Sequence, residues 1–203
     1  MMKPVLRAAL ALLLMFAFAV VPAAEDAQAI VQSTTEQVLD RVQADKAALQ
    51  DDPGKMYNLV SELIFPHFDF DIMSQWVLGD SWNTASAEQR AAFVEQFRKL
   101  LVRTYATALL EFSGQEITYP PLEQKGGANT AMVKQVISQP GSSVIPIVYR
   151  LHNKSGPWKV FDVSVDGVSL VKTYRASFGS MIKDGGIDSL IASLDSKNQQ
   201  YGN

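Results

Sequence analysis

The chain has 203 residues, 47% of them hydrophobic, with 18 basic and 21 acidic side chains, a formal net charge of −3 and no cysteine. Disulfides, thiolate nucleophiles and cysteine metal sites are therefore excluded, so stability has to come from packing. No cluster of Lys or Arg stands out, which argues against a nucleic-acid partner and against tight docking on anionic lipid.

Residues 1–23 read as a secretory signal peptide. Lys3 and Arg7 precede an uninterrupted apolar run from Ala8 to Val21, followed by the small-residue stretch Val21-Pro22-Ala23-Ala24. The run is too short for a permanent anchor. Cleavage after Ala23 would leave about 180 residues, 24–203, enough for a single domain with a real core. Removing Lys3 and Arg7 leaves 16 basic against 21 acidic residues and a formal charge of −5.

From Ala24 to Asp52, Val31, Val38, Val42 and Leu49 fall on one stripe of an amphipathic helix, which Pro53-Gly54 ends. A second helix is predicted from Lys55 to Phe65, where Pro66 breaks it. Asp69 is placed to cap a third, Phe70 to Leu78, with Gly79 ending it. Ser86-Ala-Glu-Gln89 is a capping box that opens a long helix to about Phe112, with Phe93, Phe97, Leu101 and Tyr105 on its apolar face.

The period then changes to 2. Turn pairs at Gly126-Gly127, Pro140-Gly141, Ser155-Gly156-Pro157 and Asp166-Gly167 separate strand candidates Glu116–Glu123, Thr130–Gln139, Ser143–His152 and Trp158–Val165, the last ending there or continuing through Gly167 to Val171. Short connections imply an antiparallel meander of about four strands. Both faces of the second strand are partly apolar. Helix returns with Tyr174, Phe178, Met181 and Ile182, breaks at Gly185-Gly186, and resumes through Ile187, Leu190 and Leu194. The fold class is α+β, a curved antiparallel sheet wrapped by helices from both ends of the chain.

No phosphate-binding glycine loop, dinucleotide fingerprint or nucleophile elbow is present, and the only histidines are His67 and His152. His67-x-Asp69-x-Asp71 would face one metal if extended, but Asp69 as a helix cap accounts for the same residues. Tyr105 or Tyr149 with Asp162 would suit an isomerase that polarises a carbonyl, although strand aspartates and helical tyrosines are more often structural. A surplus of large apolar residues fits either an ordinary core or a ligand cavity.

Three ordered blocks resemble the MlaC family, also called the toluene-tolerance (Ttg2) auxiliary family. They are Pro66-His-Phe-Asp-Phe-Asp71 running into Val77-Leu-Gly79 and Trp82; Gln89-Arg90 with Phe93, Phe97 and Tyr105; and Trp158-Lys-Val-Phe-Asp-Val163 with Gly167-Val-Ser-Leu-Val171, Tyr174-Arg175 and Phe178. The resemblance implies a non-enzymatic phospholipid carrier of the Gram-negative periplasm, with an NTF2-like shape, an apolar cavity, and phospholipid as ligand rather than any cofactor. It also implies two partners, an outer-membrane lipoprotein–porin complex and an inner-membrane ABC transporter complex bearing an MCE-domain ring.

On that basis the acyl chains are expected between a sheet face carrying Ile145, Ile147 and Tyr149 and helix faces carrying Trp76, Phe97, Leu101, Tyr105, Leu170, Tyr174 and Phe178. On the neighbouring strand Val163 and Val165 alternate, and the sequence leaves open whether they or Val160 face inward. A periplasmic chaperone with an exposed apolar groove and the isomerase-type enzyme are the alternative classes.

Overall fold

The computed structural model describes residues 23–121, 129–141, 143–154 and 156–199. The signal-peptide reading and the Gly126-Gly127 turn lie outside these residues. Helix α1 spans Ala23–Ala44 and α2 Lys46–Asp51. The single helix expected here is divided at Asp45, whose φ of −105° and ψ of 13° leave the helical range while its carboxylate pairs with Arg41 at 2.7 Å. Pro53 opens α3, Pro53–Leu63, instead of merely ending its predecessor. Its fixed φ suits the first helical turn, and Asp52 caps that turn by accepting from the Gly54 amide at 2.8 Å.

A 3₁₀ turn over Phe65–His67 leads to α4, Phe70–Leu78, with Asp69 as its cap, accepting from the Ile72 amide at 2.9 Å. Gly79 ends α4 at φ 57°, ψ −128°. The short α5, Asp80–Thr84, has no counterpart in the sequence reading. Helix α6, Ala87–Leu110, starts on the predicted capping box: Gln89 N–H donates to the Ser86 hydroxyl and the Gln89 side chain accepts from the Ser86 amide.

Among the described residues the sheet has five strands, where about four were expected: β1 Glu116–Thr118, β2 Thr130–Ser138, β3 Ile145–His152, β4 Lys159–Val165 and β5 Val168–Ser169. They pair antiparallel in chain order, and β1 and β5 remain separate edges. The chain does not run straight on after β4, because Asp166 (φ 50°) and Gly167 (φ 79°) form a two-residue turn that reverses it into β5. Helix α7, Leu170–Gln199, is the expected pair of helices joined across a kink at Gly186.

A β-bulge settles which valines of β4 face inward. Tyr149 is opposite Val163 and Arg150 opposite Asp162, but Leu151 is opposite Val160, so Phe161 is the extra residue. Skipping one residue restores the alternation, and Val160 and Val163 share a face. On β2 the inward residues are Ala131, Val133, Gln135 and Ile137, leaving Met132 exposed on the outside.

Buried side chains form three clusters. One joins α4, α6 and α7 through Phe93, Phe97, Phe178 and Leu190; one lies between α1 and the sheet around Val31, Val133, Leu151 and Val160; one lies among α1, α2, α3 and α6 around Val42, Met56 and Val102. The three meet around an unfilled space.

Candidate functional site

That space is a cavity of about 610 Å³ between the inward face of the sheet and helices α1, α3 and α6. The register explains its sheet wall. Ile145 and Ile147 alternate with Tyr149 on β3, and Ile147 lies opposite both Gln135 and Val165, which puts it midway across the inward face. Helix α6 contributes Leu101, Val102, Tyr105, Ala106, Ala108 and Leu109, all from its C-terminal half.

Of the residues expected to line an acyl cavity, the structure brings eight together around this space: Leu101, Tyr105, Ile145, Ile147, Tyr149, Val163, Val165 and Leu170. Four lie elsewhere. Phe97, which is fully buried, stacks on Phe93 at 5.6 Å and meets Tyr174 and Phe178 edge-on. These three residues fill the α4–α6–α7 core instead, and the α6 residues that line the cavity begin one turn further on, at Leu101. Trp76 is on the outside, 42% exposed, packed edge-on against Phe161 with the Arg150 guanidinium near its ring.

Sequence reasoning missed the α1 wall, formed by Ile30, Val31, Thr34, Thr35, Val38 and Leu39, and the floor at Phe65, His67 and Phe68. The α1 stripe was visible as a spacing, but a spacing does not name the surface it meets. Gln135 gave no signal, since a polar residue on a strand reads by default as facing solvent.

The wall is almost free of ionisable groups. Among the described residues lining it, Glu111, near the rim, and His67, at the floor, are joined only by the phenols of Tyr105 and Tyr149. Burial raises the Tyr105 pKa to about 12, with the neighbouring Tyr174 adding to it. Burial, followed by the nearby Tyr119, also raises Tyr149 well above the ordinary value of 10. Burial and then the Lys159 charge lower the pKa of His67. All three shifts favour the neutral form, which is the form compatible with an apolar ligand.

The candidate enzymatic groups are separated. Asp162 is on the opposite face of the sheet from Tyr149, 2% exposed, accepting from the Ser169 hydroxyl at 2.8 Å and the Val171 amide at 3.2 Å. It anchors the start of α7 and is not among the residues that line this cavity. Asp69 caps α4 with one carboxylate oxygen and holds His152 Nε2 at 2.9 Å with the other, while Asp71 is exposed and His67 faces the cavity. No group of three or more His, Cys, Asp or Glu able to hold a metal occurs among the described residues. Nor is any helix among them long and apolar enough to cross a membrane.

The chain is similar to known proteins in sequence and in fold. The family model described as MlaC protein matches residues 32–196. The chain is 30% identical over 167 residues to the toluene tolerance protein ttg2D of Pseudomonas putida, covering 82% of this chain and 77% of that one. It is 29% identical over 175 residues to the intermembrane phospholipid transport system binding protein MlaC of Haemophilus influenzae, covering 84% and 81%. The solved structure of a phospholipid-binding protein from Ralstonia solanacearum, in complex with a phospholipid, is similar with a TM-score of 0.80 and 31% identity, over 88% of this chain and 99% of that one.

Proposed function

The chain belongs to the MlaC family, and on that premise we propose that it is a phospholipid carrier of the Gram-negative periplasm, not an enzyme. The reading has it take up phospholipid from one membrane complex and deliver it to another, between an outer-membrane lipoprotein–porin assembly and an inner-membrane ABC transporter with an MCE-domain ring. Export follows from the signal-peptide pattern of residues 1–23.

The observation that carries the reading is the chemistry of the cavity wall. Each methylene taken from an apolar environment into water costs about 0.8 kcal/mol, so a carrier must offer acyl chains a lining nearly as apolar as the bilayer they leave. The wall does so: aliphatic and aromatic side chains surround the space, and its tyrosines and histidine are held neutral. The described lining also contains no Lys or Arg to grip a phosphate. A head group at the mouth then stays hydrated, and selectivity among head groups is expected to be weak.

Native mass spectrometry of the protein purified from its own periplasm without detergent, with the organic extract analysed alongside, tests the proposal. Adducts at phospholipid masses that disappear on delipidation are expected. A lipid-free extract together with an apo mass would overturn the carrier reading, and suppression of client aggregation by that apo protein would favour a chaperone.

A further inference from the structure

Three separate segments meet at the rim of the cavity. Glu116 of β1 lies opposite Ser138 at the end of β2, and Ile137 lies opposite Ile145 at the start of β3. The Asp166 amide donates to the Pro146 carbonyl at 2.9 Å, which brings the β4–β5 turn to the same end of the sheet. Glu111, the C-cap of α6, lines the cavity together with Gln115, Ser138 and Ser143.

Two properties set this end of the molecule apart. Its charge has a single sign: residues 111–118, 135–149 and 163–171 contain Glu111, Glu116 and Asp166 and no Lys or Arg. All three carboxylates are exposed, and none is in an ion pair among the described residues. The rim is also apolar. Of the exposed large hydrophobic side chains among the described residues, Val144, Ile145 and Val168 are all here, at 59%, 45% and 58% exposed. Val168 lies opposite Val165, itself a cavity residue, so the apolar surface of the rim adjoins the wall. Clustered exposed aliphatic side chains mark a contact surface, and the carboxylates around them decide which contact it suits. Anionic bilayers attract Lys and Arg and repel carboxylates, and a rim built to enter one carries cations or Trp, which these segments lack. A second copy, mouth to mouth, would set carboxylate against carboxylate. A protein surface with an apolar centre and a collar of Lys and Arg satisfies both properties.

We infer that this rim docks the cavity on a protein lipid port, an apolar opening ringed by Lys and Arg, and that its carboxylates hold the cavity off the anionic bilayer surface itself. The inference rests on the carrier reading above and adds a selectivity to it: exchange through a basic protein collar is favoured, and direct exchange with an anionic membrane is opposed.

The test compares the wild type with a rim-neutralised triple, Glu111→Gln, Glu116→Gln and Asp166→Asn, the last chosen because Asn tolerates the φ of 50° at that turn. A second triple, Asp51→Asn, Glu62→Gln and Asp184→Asn, makes the same change in net charge at exposed positions of α2, α3 and α7. Uptake of labelled phosphatidylcholine is followed from vesicles of phosphatidylcholine alone and from vesicles with phosphatidylglycerol as about a third of the lipid. Three carboxylates in a surface potential of about −30 mV, screened over a Debye length, predict wild-type uptake roughly tenfold slower from the anionic vesicles at low salt. The gap should close at about 1 M salt and in the rim-neutralised triple, but not in the second triple. Against each of the two partner complexes of the carrier reading, held in phosphatidylcholine nanodiscs, the rim-neutralised triple should associate roughly tenfold more slowly than the wild type at low salt, and the second triple should match the wild type. Equal wild-type uptake from the two kinds of vesicle, the same effect from both triples, or unchanged association of the rim-neutralised triple with both complexes would overturn the inference and leave the carrier reading standing. No uptake from any vesicle or complex would overturn both.

Discussion

Ile147→Arg is the sharpest perturbation of the cavity. Ile147 sits midway across the inward face, opposite Gln135 on one side and Val165 on the other, so a guanidinium there projects into the space proposed for acyl chains. If it displaces about four methylenes, lipid affinity falls by about 3 kcal/mol, roughly 150-fold, before the cost of covering a cation with hydrocarbon is added. The fold should lose less, about 1–2 kcal/mol, because Ile147 is only partly buried. The control is Val148→Arg, one residue along β3 and on the opposite face, where the charge stays outside the cavity. Native mass spectra of the two variants should show an empty Ile147→Arg protein and a loaded Val148→Arg protein, with both thermal transitions still cooperative. Wild-type occupancy in Ile147→Arg, or equal loss in both, would refute the reasoning.

Asp69→Ala removes the cap of α4 and leaves His152 buried without its partner, so urea denaturation should show a loss of about 2–4 kcal/mol; Asp69→Asn, which keeps a cap, should lose less. Gly79→Ala places a Cβ at φ 57°, ψ −128° and 2.9 Å from an Arg175 guanidinium nitrogen, and calorimetry should register about 1–3 kcal/mol of destabilisation. At alkaline pH the raised pKa of Tyr149 means that the unfolded chain loses its proton first, so stability present below pH 10 declines above it. This group adds up to about 1.4 kcal/mol per pH unit to that decline, and urea titrations of Tyr149→Phe should show the shallower slope. Finally, delipidation should lower the thermal midpoint by about 5–10 °C, the effect of removing a ligand present at about 100 times its dissociation constant, and re-addition should restore it.

Local signals in the sequence translated well where they were self-contained. The capping box at Ser86 needs only residues three apart, and the Asp69 cap needs only the amides of the following turn, so both helices start where their residues indicate. The bulge at Phe161 illustrates the opposite case. Val160, Val163 and Val165 cannot all share a face of a regular strand, and only the pairing with β3 shows where a residue is skipped. The cavity wall was half legible for a related reason. Leu101 and Tyr105 follow Phe97 on the same helical stripe at steps of four, and nothing in that stripe marks where core gives way to cavity. Periodicity identifies an apolar face, but the partner that buries it is chosen by tertiary contacts.

The residues displaced from the cavity wall bear on why the cavity persists. A dry, closed void of 610 Å³ would cost about 15 kcal/mol at about 24 cal/mol per Å³, as much as the entire stability of a typical domain. A fold with this space must therefore keep it solvated or filled, and must stop the walls from collapsing into it. The exposed rim at Ser143 and Ile145 meets the first requirement. The second is met outside the cavity, where Phe93, Phe97, Tyr174 and Phe178 lock α6 to α7 by ring contacts of 5.3 to 6.2 Å, and where Val42, Met56 and Val102 fix α1, α3 and α6 to one another. Because both ends of α6 are committed to dense packing, it is not free to move inward and close the space. Aromatic residues that line no cavity thus still determine whether one exists, and a truncation such as Phe97→Ala would act on lipid uptake through the position of α6 rather than through a lost contact.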